Sequence, residues 1–142
     1  MFERCLYFNV NALARRVNTI WDEAFADFDL SPSHAYLLRL LLDEPGLTQS
    51  QITQELKLEK STITRFVTTL EDRKLLRRER QGREVQVFPT EKAKKIQKQL
   101  NIKGDELYQK MIDSLGRKEL TEMVARLRKA GGSLSDASHF SE

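Results

Sequence analysis

Between Thr48 and Thr90 the chain compresses two helical patterns and a basic hairpin into one short stretch, and no other feature constrains its fold as much. Thr48 and Gln51 stand in the Thr-x-x-Gln spacing of a capping box, which starts a helix by satisfying its free backbone donors. Ile52 and Leu56, four apart, predict one buried face. Lys57 to Lys60 then breaks the pattern with charge around a single Leu58, so this helix is short. In the next segment Ile63, Phe66, Val67 and Leu70 follow the i, i+3, i+4, i+7 rule and form one apolar stripe. Two helices joined by about four residues are a helix-turn-helix candidate.

Opposite the second stripe, Ser61, Thr64, Arg65 and Thr68 cluster, with no Asp or Glu through the first turns of the helix. Such a face offers donors, acceptors and a positive charge to base edges and phosphates in a DNA major groove; taken alone, it is more ordinarily a solvated face. The residues that follow favour DNA. Leu75 and Leu76 end the helix, and RRERQGREVQVF then predicts two short strands around a Gln-Gly turn, Val85 and Val87 alternating against Gln86. Arg77, Arg78, Arg80 and Arg83 crowd this hairpin, which makes it a wing able to reach phosphates or the flanking minor groove rather than a merely solubilising edge.

The formal net charge is only +3 over 142 residues, yet it is unevenly distributed. Residues 1–56 carry 4 basic and 8 acidic side chains, residues 57–98 carry 13 and 6, and residues 99–142 carry 7 and 7. A basic middle of this kind is the footprint of a nucleic-acid surface.

LEKSTITRFVTTLEDRKLLRRE, followed by VQVFPTEKA, resembles the MarR (multiple antibiotic resistance regulator) family of winged-helix transcription factors, and the likeness runs from about Leu6 to Leu127. The resemblance implies a mainly α fold: an α+β winged helix-turn-helix with long N- and C-terminal dimerisation helices. It also implies an intertwined homodimer that binds palindromic double-stranded operator DNA and usually represses. Ser61, Thr62, Thr64 and Arg65 fall where the family reads bases, and Arg83 falls on its wing-tip arginine. With Thr68, Arg77, Arg78 and Lys95 they make up the expected DNA-binding set. One departure is that the family's Asp-x-Arg wing signature is here Gln81-Gly82-Arg83.

Two further expectations come from the same resemblance. A small aromatic or phenolic effector would enter where the dimerisation helices meet the winged domain, with Arg16, Trp21, His34 and Tyr36 as lining candidates; the alternative reading makes them core and rim. Hydroperoxide-sensing members carry a reactive cysteine near the start of the first helix, where Cys5 lies. Those sensors surround it with tyrosines further along the first helix, whereas this chain has Asn9 and Thr19 there, so the rival reading of Cys5 is a small apolar residue in the dimer interface.

The remaining chain reads as one MarR-type domain over residues 1–130. Residues 30–90 form the winged helix-turn-helix, and 1–29 and 91–130 the dimerisation helices. From Phe2 to Phe28 apolar residues recur at threes and fours, predicting a helix too long to hide its stripe against one small domain. Asp29-Leu30-Ser31-Pro32 ends it and starts a second helix filled by Tyr36, Leu37, Leu40 and Leu41, which Pro45-Gly46 stops. Thr90 caps the helix after the wing; Ile96, Leu100, Leu107 and Met111 extend it, and Gly116 separates it from a last helix carrying Leu120, Met123, Val124 and Leu127. Residues 131–142, rich in Gly and Ser, are expected to be a disordered tail.

Other classes fit less well. A single cysteine excludes an intrachain disulfide, and with no signal peptide or membrane-length apolar run the expectation is a cytoplasmic protein without a membrane partner. His34 and His139 are the only histidines, and no metal-ligand spacing, phosphate-cradling loop or nucleophile elbow appears, so neither an enzyme nor a cofactor is expected. A winged-helix protein-interaction module remains the alternative; the basic middle argues against it.

Overall fold

Local signals set most element boundaries in the computed structural model, which describes residues 1–137. The order is α1 (Leu6–Phe25), α2 (Pro32–Asp43), β1 (Leu47–Thr48), α3 (Gln49–Leu56), α4 (Lys60–Asp72), β2 (Leu76–Gln81), β3 (Glu84–Pro89), α5 (Glu91–Leu115) and α6 (Arg117–Ala137). Short 3-10 turns, Phe2–Arg4 and Ala26–Phe28, flank α1. Ser31 caps α2 by accepting the His34 backbone N–H at 3.2 Å, with Pro32 at the first helical position. The capping box of α3 is complete: Thr48 Oγ1 accepts from the Gln51 N–H at 3.2 Å, and the Thr48 N–H donates to Gln51 Oε1 at 2.9 Å.

The strands form an antiparallel sheet in the order β1-β3-β2, with Leu47 opposite Val87 and Arg78 opposite Val87 on its other edge. β1, only two residues long, carries too little periodicity to be read from sequence. Its entry requires a glycine: Gly46 has φ +88°, its N–H donates to the Val87 carbonyl at 2.9 Å, and a Cβ would meet the Phe88 ring at 3.0 Å. Phe25, Leu37, Leu38, Leu41, Ile52, Ile63, Val67, Leu70, Leu76 and Val87 are buried as the core, with α2 packed on α4 and β3. This holds the α3–α4 pair and the hairpin on one support.

Four expectations are corrected. The Phe2–Phe28 helix is shorter: Cys5 is extended and serves as the N-cap of α1, and at the other end the last turn tightens to 3-10 before Asp29 turns left-handed at φ 52°. α4 ends at Asp72, not at Leu75 and Leu76; Lys74, at φ 62°, reverses the chain, Leu75 sits buried after it and Leu76 opens β2. In α2, Leu38 and Leu42 are buried where Tyr36 was expected to fill the core. Finally, the expected tail from residue 131 is helical as far as Ala137, where Ser135 Oγ donates to the Gly131 carbonyl at 2.9 Å. Glycine costs a helix only about 1 kcal/mol per residue, a weak bias rather than a prohibition. Residues 138–142, the end of that tail, and His139 with them, lie outside the described residues.

The chain divides into two compact units inside α5, at Lys103 and Gly104. In the second, Gly116 at φ +90° separates α5 from α6. Among the described residues no helix is long and apolar enough to cross a membrane.

Candidate nucleic-acid interface

The turn between α3 and α4 is made by Lys57, which adopts φ 53° and donates its N–H to the Thr53 carbonyl at 2.9 Å, closing α3. α4 then buries Ile63, Val67 and Leu70 and leaves Ser61, Thr64, Arg65 and Thr68 exposed, with Thr62 half-buried at the rim. Arg65 reaches over the neighbouring Phe66 ring, 5.7 Å from its centroid, and has no ion pair among the described residues. The Ser61 side chain likewise has no hydrogen bond among the described residues. Thr64 and Thr68 are different: each hydroxyl donates to the carbonyl four residues back, Lys60 and Thr64 respectively, both at 2.9 Å.

The wing turns at Gly82, φ +63°, placing Arg83 in the loop and Arg80 on the strand just before it. Neither pairs with an acid among the described residues, so both remain available to an anion. The other two arginines are engaged. Arg77 stacks over Phe88 at 4.6 Å and pairs with Glu79. Arg78 is half-buried and bonded to Glu71, Gln49, Thr64 and Thr68. Thr90 caps α5 through the Ala93 N–H at 3.3 Å, and Lys95 is exposed beyond that cap. Lys94 pairs with Glu91 at 3.0 Å, and Lys92 donates to the Arg73 carbonyl at 3.1 Å.

The predicted set therefore splits. Ser61, Arg65, Arg83 and Lys95 are exposed and uncommitted, while Thr64, Thr68, Arg77 and Arg78 are tied into the scaffold. Gln49, Glu71 and Arg73 were missed as participants, and Arg80 was noticed only as one of a crowd. Arg73, which donates to the Asp29 and Phe28 carbonyls, links the end of α4 back to the entry of α2. No local pattern could have found these partners, because the contacts span 7 to 45 positions. Period-two alternation does place Arg80 on the Arg78 face, two residues nearer the tip.

The four effector candidates have different partners among the described residues. Trp21 Nε1 donates to the Tyr36 hydroxyl at 3.1 Å, and Tyr36 stands edge-on to Phe25 with Arg39 over its ring. Arg16 lines a separate hollow of about 500 Å³ on α1, with Ala12, Arg15, Thr19 and Ile20. His34 turns to α4: its ring lies 4.4 Å from Phe66, its Nδ1 meets Ser31 Oγ, and its Nε2 is buried without a partner among the described residues. Burial first, then the charges of Arg73 and Arg65, hold its pKa below the ordinary histidine value. Cys5, the redox candidate, caps α1 half-buried, its carbonyl accepting from Asn9 Nδ2 at 2.8 Å, while Tyr7 is exposed.

Residues 28–84 match the model of the MarR family, a span that holds the helix-turn-helix and the first half of the wing. A Bacillus subtilis (strain 168) protein, the uncharacterised HTH-type transcriptional regulator YybA, is 24% identical over 126 residues, 84% of each chain. The S. aureus MepR–DNA complex superposes with a TM-score of 0.80 at 23% identity, covering 92% of this chain and 98% of that one. Bordetella bronchiseptica BpsR, whose DNA binding is regulated by 6-hydroxynicotinic acid, gives a TM-score of 0.83 at 19% identity over 92% and 96%. Residues 28–84 thus match the MarR family, and over about nine-tenths of its length the chain shares the fold of these solved DNA-binding proteins.

Proposed function

We propose that two copies of this chain bind a near-palindromic duplex site, one recognition helix per half-site about one helical turn apart, and repress transcription there until a small aromatic effector releases them. One observation carries the reading: Arg65 on the exposed face of α4 and Arg80 and Arg83 at the wing tip are cations without acidic partners among the described residues, on elements joined to each other through Arg78. Arg65 suits bidentate contact with a guanine edge, Ser61 and Thr62 the neighbouring bases, and Arg83 and Lys95 the phosphates or minor groove.

Homodimerisation is supported by the exposed apolar residues at the start of α1, Leu6, Tyr7, Phe8 and Val10. Release by an effector is supported by BpsR and by the structure of PcaV from Streptomyces coelicolor with its natural ligand. Selecting duplexes from a random pool and titrating them against salt tests the whole reading. A near-palindromic consensus, two chains per duplex and affinity falling steeply with salt are expected. Absence of sequence preference, or binding indifferent to salt, overturns it and leaves the protein-interaction alternative.

A further inference from the structure

Arg78 stands among the wing arginines, but its guanidinium is bonded within the chain. Nη1 donates to Glu71 Oε1 at 2.8 Å, Nε to Gln49 Oε1 at 3.3 Å, and Nη2 both to Thr68 Oγ1 at 2.7 Å and to the Thr64 carbonyl at 3.2 Å. Of the five N–H donors of a guanidinium, one is left over. The Arg78 backbone N–H also donates to Glu71 Oε2 at 3.2 Å, so both carboxylate oxygens of Glu71 are held. Gln49 closes the circuit: its amide oxygen accepts from Arg78 and its Nε2 donates to Thr64 Oγ1 at 3.1 Å. One side chain thus bonds the first residue of α3, three positions of α4 and, through its own backbone, β2.

We infer that Arg78 is a positioning residue: it fixes the wing against the recognition helix so that both meet DNA as one body, with Thr64 and Thr68 as parts of the bracket rather than base readers. The inference rests on the proposed DNA binding and assigns different roles within that surface. Each threonine hydroxyl has given its only proton to a backbone carbonyl and accepts from Gln49 or Arg78, so neither has a donor for a base. Base reading along α4 therefore falls to Ser61, Thr62 and Arg65. Arg78 also neutralises Glu71, an acid in the last turn of α4 that would otherwise repel phosphates. A lysine in its place would keep the charge but could not make this planar fork of bonds.

The test compares Arg78→Ala, Arg78→Lys and Thr68→Val with the native protein on its selected duplex and on a random one, across salt, with circular dichroism to verify folding. Both Arg78 variants should lose about tenfold on the selected duplex and less on the random one, with the slope of log affinity against log salt unchanged. General weakening of the fold would leave the ratio between the two duplexes intact. Thr68→Val should lose less, and nothing further when combined with Arg78→Ala, because the two share a bond. Native affinity in Arg78→Lys, or a slope reduced by about one, would make Arg78 a phosphate contact and overturn the inference. Amide hydrogen exchange in the free protein separates this from the DNA-binding reading itself. Arg78→Ala should speed exchange in β2 and β3 by about tenfold whether or not the native protein selects a duplex, and unchanged exchange there sinks the bracket.

Discussion

α1 and α4 carry apolar stripes of similar regularity, and the chain treats them in opposite ways. Ile63, Val67 and Leu70 of α4 are 0% exposed, whereas Leu6 is 63%, Tyr7 69% and Phe8 50% exposed at the start of α1. The end of α1 behaves like α4, since Phe25 is 0% exposed and stands 5.7 Å from the ring of Tyr36 in α2. A stripe identifies a face; it does not say what covers the face. α4 packs against α2, α3 and β2 of its own chain, while the apolar residues in the first turns of α1 stay exposed. Apolar surface left in water forfeits about 25 cal/mol per Å², which favours a second copy over that region. α6, in the other unit, also leaves Val124, Leu127 and Leu134 exposed.

The largest effect should come from the covered stripe. Ile63→Ala should destabilise the fold by about 2–5 kcal/mol, read from urea unfolding followed by circular dichroism, because it opens a cavity under the recognition helix. A loss under about 1 kcal/mol would mean that α4 is less firmly packed than its burial implies.

Leu6→Asp attacks the uncovered stripe instead. A charge buried in an interface without a partner should loosen the proposed dimer by about 2 kcal/mol, roughly thirtyfold in dissociation constant, and leave the helical content of the monomer unchanged. Sedimentation at micromolar concentration decides: an unaltered dimer, or a native protein that is already monomeric, removes the contrast between the two helices.

A third substitution sharpens the comparison on the other face of α4. Arg65→Ala should cost about 1–3 kcal/mol on the selected duplex and relax preference at one base pair, while Arg83→Ala should weaken all duplexes alike and lower the salt slope by about one. Equal losses for Arg65→Ala on selected and random duplexes would return Arg65 to the phosphate-binding class.

The smallest effect concerns His34, which joins the buried side of α4 to α2 through Phe66. Its folded pKa lies below the ordinary value near 6.5, so the unfolded chain takes up the proton first as pH falls. Stability is therefore full above about pH 6.5 and declines as pH falls from there through the lower folded value. The added proton would sit at a helix N-terminus near two arginines, with one ring nitrogen buried and unpartnered. Thermal melts between pH 7.5 and 5.5 should drop less for His34→Gln than for the native protein; identical slopes would mean that the ring is solvated in both states.

Much of the fold was legible because its signals are short in range. The capping box at Thr48 and Gln51, the Ser31-Pro32 start, the turn at Gly82 and the cap at Thr90 each involve partners at most three residues apart, and the structure contains all four. The same short range explains the failures. Apolar spacing continued through Ala26–Phe28 although the backbone there had tightened to 3-10, and glycines at 131 and 132 suggested disorder although backbone hydrogen bonds carry α6 through them. At the interface, composition found the basic hairpin but could not sort its arginines.

By itself, then, the sequence determined where the capped helices α2, α3 and α5 begin, where the hairpin turns, which faces are apolar, and that residues 57–98 are basic. Those properties follow from side-chain chemistry and spacings of two to four residues. Only the tertiary structure decided that Arg78 braces the scaffold while Arg83 stays free, that Thr64 and Thr68 hold Gln49 and Arg78, and that His34 faces Phe66. Apart from that of Arg83, each placement depends on partners 7 to 32 positions away, brought within reach by packing of α2, α3, α4 and the hairpin around one core. A side chain's local pattern supplies its charge and its face, and the fold supplies its partner.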